Sequence, residues 1–377
     1  MTKSSPCILI IAGELSGDRY AAELAKECKS KDPLAQIVGI GGQYLAAIAD
    51  KMVYDTENHH VMGVWEQFKA RHRHTTLLSA LSVFLETTEV DHAIIIDFQH
   101  MNGKIADRLS LKSIPITTFI TPSFWVWNDQ RGIKKIASYS DAIVTIFEKE
   151  YQLYKVHNHR TYYFGHPVVR LYTPVVRDRD VLSRRPATIM LYPGSREQEV
   201  HYHFPDMLEA VKRLQAEDPT LVIHVVSMSP HLEAVIKTYL ADIPVTHLTL
   251  ENGFSERVLS TATFAITVAG TATLDLMLNR IPMISLGKVS YLTYLIGTYL
   301  LGIKLKFAAM PNIIADHVIV PDLILSDVNC DAVYREAKAL LNAQVAMDMV
   351  AGYDAVIERL STGQDPFEET IKLVLKA

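Results

Sequence analysis

From end to end the chain alternates short apolar runs with stretches of helical spacing. In its first half the runs are residues 7–12 (CILIIA), 36–40 (QIVGI), 92–97 (HAIIID), 114–119 (IPITTF), 142–147 (AIVTIF) and 161–165 (TYYFG). They are apolar at successive positions and rich in β-branched residues, as strands covered on both faces require. Helical patterns lie between them, as over 19–29 and 75–87. Residues 166–186 hold three prolines and many charges and read as a link. The alternation then restarts with runs at 188–192, 221–226, 244–248, 264–268 and 282–286, and helices are expected to start near Phe204, His231, Ser255 and Thr271. From Asp331 the pattern is helical, with Asp365-Pro366 opening a last helix, since proline is tolerated in a first turn. The expectation is an α/β protein of two domains, each on a parallel sheet with right-handed crossovers. The boundaries are set at 1–168, 169–355 and 356–377, the last a helix packing back on the first domain or on a partner.

The length of 377 residues agrees with two domains at about 150 residues each. With 49% hydrophobic and 21% charged residues, wholesale disorder is excluded. A net charge of -5 gives no global argument for nucleic acid. Cys7, Cys28 and Cys330 show neither zinc spacing nor a disulfide framework, which fits a reducing compartment. The first apolar run is shorter than a signal-peptide core and reads as a buried strand. No run reaches the roughly 18 apolar residues of a membrane span. The nearest, 291–307, is broken by Gly297, Gly302, Lys304 and Lys306.

Ligands of open parallel sheets sit at the carboxyl ends of the strands, so the residues after each run are where chemistry is sought. Gly13-Glu14-Leu15-Ser16-Gly17-Asp18 follows the first run. Its small residues suit a sharp turn with amides offered to an anion or to sugar hydroxyls, or simply a turn capped by Ser16 or Asp18. G-x-G-x-x-G is absent there, and Gly39-Ile40-Gly41-Gly42 lacks its third glycine, so a dinucleotide site is not indicated. Asp97, His100 and Asn102 follow the third run; a neutral imidazole can accept a proton near pH 7, so His100 is a candidate general base, or else a loop histidine bonded to its neighbours. Trp125 and Trp127 follow the fourth and suit sugar stacking or acyl contact, with core packing the simpler role for one ring.

In the second half, Tyr192-Pro193-Gly194-Ser195-Arg196 joins a turn to a guanidinium, a pairing that suits a diphosphate. Gly270-Thr271-Ala272-Thr273 opens a helix, again an anion site, and Asp275 lies one turn on, where it can accept ribose hydroxyls. The pairs Arg71-His72-Arg73-His74 and His201-Tyr202-His203 lack metal-ligand spacing.

Taken in order, AGELSGD (12–18), VMGVWE (61–66), ID…N (96–102), ITPSFWVW (120–127), IFEKEY (146–151), FGHP (164–167), PGSR (193–196), AGTATLD (269–275) and MPNIIA (310–315) resemble the lipid-A-disaccharide synthases nearly end to end. The resemblance implies the GT-B fold, two Rossmann-like domains facing across a cleft. It implies an inverting, metal-independent hexosyltransferase of lipid A biosynthesis, with no cofactor. UDP-2,3-diacylglucosamine would donate to the 6-hydroxyl of 2,3-diacylglucosamine 1-phosphate, giving a tetraacyl disaccharide 1-phosphate and UDP. Gly194, Ser195, Arg196, Gly270, Thr271, Ala272, Thr273 and Asp275 would hold UDP, Arg196 offsetting the leaving charge. Gly13, Glu14, Ser16, Gly17, Asp18, Asn102, Trp127 and Asn312 would line the acceptor side.

The resemblance also has departures. His100 stands where the family has an aspartate base, leaving His100 with Asp97 and Asp18 as the base candidates. Gly287-Lys288 replaces a Tyr-Arg pair, Ala269 a serine, Asp275 and Asp322 glutamates, and Leu325 a glutamine. Two alternatives stay open: a GT-B UDP-sugar epimerase, and a paralogue that binds without turnover. The expected location is cytoplasmic, at the inner leaflet of the bacterial inner membrane through 291–307. A homo-oligomer is left open and no nucleic-acid partner is expected.

Overall fold

The computed structural model describes residues 5–13, 15–56, 64–98, 101–122, 129–172, 179–243, 245–288 and 306–376; for 15–16, 64–73, 179 and 181 it describes the backbone alone. The chain divides into two units. One takes in the residues up to Leu171 and those from Leu360 onward, and the other runs from Tyr172 to Arg359.

The first unit is a parallel sheet of β1 (Cys7–Ala12), β2 (Gln36–Gly41), β3 (Lys51–Asp55), β4 (His92–Ile96), β5 (Ile116–Phe119), β6 (Ala142–Thr145) and β7 (Thr161–Tyr163), in the order β3-β2-β1-β4-β5-β6-β7. Alternate side chains of β1 feed two cores, which is why the strand is apolar throughout. Leu9 and Ile11 pack with Leu77, Leu81 and Ile105 on one face. Ile8, Ile10 and Ala12 pack with Leu24, Ala25, Phe367 and Ile371 on the other. The last two belong to the terminal helix Pro366–Lys376, which lies along the first helix, Leu15–Lys31, with Lys31 and Glu368 paired at 2.7 Å. The chain is tied back before that helix, where the His166 amide donates to the Leu360 carbonyl at 2.8 Å.

The second unit is a parallel sheet of β8 (Thr188–Tyr192), β9 (Val222–Ser227), β10 (Leu248–Asn252), β11 (Phe264–Val268), β12 (Met283–Gly287) and β13 (Asp322–Ile324), in the order β10-β9-β8-β11-β12-β13. Its helices include Glu197–Glu217 after β8, Thr271–Leu278 after β11 and Met310–Ala315 before β13.

Three strands depart from the sequence expectation, and all three are sheet edges. β3 and β13 had no apolar run, and β10 lies at 248–252 in place of 244–248, beginning just after His247 turns the chain at φ +48°. An edge strand is covered less, so its residues are half-exposed and the continuous apolar signature is lost. The helix expected near Phe204 starts at Glu197 and carries Pro205 in its interior.

Candidate functional site

Both sheets reverse their strand order beside the first strand of the unit: β1 is flanked by β2 and β4, and β8 by β9 and β11. Helices leave the sheet toward opposite faces at such a point, which opens a crevice outside the strand ends where ligands of this fold class bind. In the first unit the reversal brings together the turn after β1 and the loop after β4, with Ala12 paired to Ile96. In the second it brings together the turns after β8 and β11, with Thr267 paired to Tyr192. The motifs singled out from the sequence occupy these two places.

At the second unit's reversal, Gly194 has φ +128°, and a Cβ there would lie 2.5 Å from the Glu199 Cβ. Ser195 and Arg196 are exposed. Their amides were expected to face an anion, but the Glu199 carboxylate holds them: Oε2 accepts from Ser195 N at 2.8 Å and from Arg196 N at 3.2 Å. Oε1 accepts from the Arg196 guanidinium at 2.9 Å. The cationic group that this turn carries is the exposed Arg196 side chain, on a loop fixed by Glu199, with the start of the Glu197–Glu217 helix behind it. Tyr192 stands beneath. Burial first, then the charge of Glu199, pushes its hydroxyl up to about 12, Asp275 adding in the same sense.

Across the reversal, Gly270 is exposed at φ +135°, and a Cβ there would meet nothing within 4 Å, so the backbone conformation alone calls for glycine. Thr271 is exposed, Ala272 and Asp275 are half-buried, and Asp275 accepts from the Tyr172 hydroxyl. Thr273 is fully buried: its hydroxyl donates to the Gly270 carbonyl at 2.6 Å and accepts from the Met310 amide at 3.0 Å. It therefore anchors the turn and does not face a ligand. Asn312 needs the same correction. It is fully buried, its Oδ1 accepting from Ile319 and Val320 amides at 2.7 and 3.0 Å and its Nδ2 donating to the Val320 carbonyl at 3.0 Å. Both polar atoms of that side chain are engaged in pinning the 316–320 loop.

His203, read only as part of a histidine pair, ties two elements of this unit together. Lys288 N donates to its Nε2 at 2.9 Å, so Nδ1 carries the proton and donates to the Glu199 carbonyl at 2.7 Å. The end of β12, where Gly287-Lys288 departs from the family pattern, is tied by this ring to the helix that bears Glu199. Burial lowers the His203 pKa and keeps the ring neutral.

At the first unit's reversal, Gly13 has no room for a side chain: a Cβ would come within 2.1 Å of the Phe98 ring. Gly17 is in ordinary contact, 3.5 Å from Ile96 Cγ2. Asp18 is 1% exposed, and its oxygens accept from Gly42 N at 2.7 Å, Tyr44 N at 2.8 Å and Leu45 N at 3.3 Å. It is thereby removed from the base candidates: its carboxylate caps the turn after β2, not its own helix. Asp97 is half-buried, held at φ +25°, and its amide donates to the Ile120 carbonyl at 3.3 Å. Asn102 is buried and accepts from the Phe98 amide at 3.0 Å, which closes the loop that begins at Asp97. Glu14, His100 and Trp127 lie outside the described residues, as does the side chain of Ser16 and most of the 291–307 segment. Lys306 and Phe307 are described, the Lys306 Nζ lying 4.8 Å from the centre of the Phe307 ring.

Glu199 and Glu150 are two carboxylates that sequence reasoning missed. Each sits three residues after the residue that opens its helix, Arg196 and Phe147, and takes that residue's amide, a spacing readable in the sequence as a capping signal. Among the described residues, no three His, Cys, Asp or Glu side chains gather as a metal site, and no helix is long and apolar enough to cross a membrane.

Comparison with known proteins adds the family. Two solved structures share the fold along nearly the whole chain: MnaA of S. aureus in complex with UDP (TM-score 0.64, 10% identity, covering 98% of this chain and 95% of that one) and MurG of Acinetobacter baumannii (TM-score 0.61, 12% identity, 99% and 100%). The lipid-A-disaccharide synthase of Myxococcus xanthus is 31% identical over 339 residues, 88% of this chain and 87% of its own length. The family model described as lipid-A-disaccharide synthetase matches residues 8–369, which takes in both units and every strand from β2 to β13. The chain belongs to the lipid-A-disaccharide synthetase family.

Proposed function

We propose that the chain is the glycosyltransferase of lipid A biosynthesis that joins UDP-2,3-diacylglucosamine to 2,3-diacylglucosamine 1-phosphate. The observation that carries this reading is the family match through residues 8–369. The acceptor's 6-hydroxyl attacks the anomeric carbon of the donor, the bond from that carbon to the UDP oxygen breaks, and the configuration inverts. The hydroxyl proton passes to a base after β4, and we assign it to His100, with Asp97 beside it in sequence. Charge develops on the departing diphosphate. We assign Arg196 to offset it, with the Gly270–Thr271 turn and Asp275 holding the rest of the nucleotide; their adjacency at the β8/β11 reversal supports this. No metal enters the reading. We take 291–307, with Lys288, Lys304 and Lys306 around it, as the contact with an anionic membrane surface, which suits substrates bearing acyl chains.

UDP release from the two acylated glucosamine substrates tests the reaction. His100→Ala is expected to lower kcat on the order of 10²-fold or more, and His100→Asp to retain activity. UDP binding without release, together with failure of the gene to replace the resident synthase in cells, would leave only a binding protein.

A further inference from the structure

Tyr172 belongs to none of the motifs, yet its hydroxyl donates to Asp275 Oδ1 across 103 residues of chain. It opens the second unit, directly after Leu171, where the chain leaves the first. Both partners are half-buried. The main chain of Asp275 is fixed independently: its carbonyl accepts from the Asn279 amide at 3.1 Å and from Asn279 Nδ2 at 2.8 Å. What remains to be set is the carboxylate, which turns about two side-chain bonds. Burial apart, the charges that reach the nearby Tyr192 hydroxyl are those of Glu199, Asp275 and Arg196. Two carboxylates thus share this end of the sheet with the Arg196 guanidinium, which Glu199 engages. Asp275 is held by a phenol instead. An O–H donated to a carboxylate is a charge-assisted bond, stronger and more directional than one between neutral groups.

We propose that Tyr172 is the positioning residue for Asp275 in the nucleotide site: its hydroxyl sets the carboxylate in the orientation that meets the ribose hydroxyls. This role rests on the assignment of Asp275 to the ribose. Each charged side chain assigned to the nucleotide then has a second side chain that aims it, Glu199 for Arg196 and Tyr172 for Asp275. The chemistry of the aiming group matters. A phenol is a neutral donor, so it leaves Asp275 charged and able to accept from sugar hydroxyls, whereas a lysine there would draw the carboxylate into an ion pair. A carboxylate held in this way reads hydroxyls: a sugar without them leaves it unpaired, and the aim given by Tyr172 is then of no use to the ligand.

Titration calorimetry on the full chain with two probes, UDP and its 2′,3′-dideoxy analogue, decides it. Tyr172→Phe removes only the hydroxyl. It is expected to weaken UDP roughly fivefold, the size of one hydrogen bond, and to leave the dideoxy analogue bound as in the wild type. Asp275→Ala is expected to weaken UDP as well, and adding Tyr172→Phe to it is expected to cost nothing further, because the two side chains act as one unit. A purely structural tether would move both probes together, so an equal loss for UDP and the analogue overturns the proposal. So does a Phe variant that binds UDP as well as the wild type or better. Should the Phe variant melt lower, the ratio of the two affinities on the same protein still reads the hydroxyl. If UDP is weakened by Asp275→Ala but not by Tyr172→Phe, the role of Tyr172 fails alone; if the wild type binds no UDP, the nucleotide reading fails and this role falls with it.

Discussion

Glu199 holds Arg196 at both ends, its Oε2 accepting from the Arg196 amide at 3.2 Å and its Oε1 from the guanidinium at 2.9 Å. The cation assigned to the diphosphate is thus aimed by a carboxylate three residues away. The same carboxylate lowers the net positive charge of the turn, so Arg196 must exchange a partner when a phosphate arrives. Glu199→Ala removes the aim and frees two amides. The expected result is UDP binding about tenfold weaker, about 1.4 kcal/mol, by titration calorimetry. Arg196→Ala is expected to lower kcat on the order of 10²-fold, because its bond strengthens as charge develops. Unchanged UDP affinity in Glu199→Ala would remove Glu199 from the site.

Gly194 and Gly270 share a positive φ but not their surroundings. Alanine at Gly270 meets only backbone strain, roughly 1–3 kcal/mol. Alanine at Gly194 meets the same strain and also the Glu199 side chain at 2.5 Å. Urea denaturation should therefore rank Gly194→Ala as the more destabilised; the reverse order would contradict that crowding.

Asp18 offers a test that separates structure from chemistry. Each buried amide left without an acceptor costs about 1–3 kcal/mol, so Asp18→Ala should lower stability by roughly 3 kcal/mol or more. Asp18→Asn keeps one accepting oxygen and should lose less, with kcat following the amount of folded protein. An Asp18→Asn protein of full stability whose kcat has collapsed would return this residue to the base candidates.

Buried histidines give the fold an acid-sensitive side, His166 and His203 among them. Burial lowers His166 from 6.5 to about 3, its Nδ1 accepting from the Val168 amide at 3.1 Å, and it lowers His203 in the same direction. In each case the unfolded chain binds the proton more readily than the folded one. Their stabilisation is therefore present above pH 6.5 and is lost as pH falls from there toward the folded values. Glu150 works oppositely: its folded pKa lies above its unfolded 4.5, so stability is lost as pH rises from 4.5 to about 8. Thermal melts of His166→Gln against wild type between pH 7 and 4 should show the variant less acid-sensitive. An unchanged difference across that range would mean that His166 is not buried as a neutral ring.

The sequence by itself determined the strands that are buried on both faces, because covering both faces demands apolar residues at every position, as in CILIIA and FAITV. It also determined the turn chemistry after β1, β8 and β11, since small residues and an arginine after a buried strand have few uses, and it carried the family resemblance. It could not show the edge strands β3, β10 and β13, whose half-exposed residues follow no apolar rule. Nor could it show strand order. The β1/β4 and β8/β11 reversals are what bring separate motifs side by side, and they follow from pairings between residues as distant as Tyr192 and Thr267. Burial decided the rest. Asp18, Thr273 and Asn312 have the side chains of ligand-binding residues, but the folded chain spends their hydrogen bonds on its own amides and carbonyls. A polar group enclosed by the fold must find its partner there, and which groups are enclosed is settled only when the helices pack.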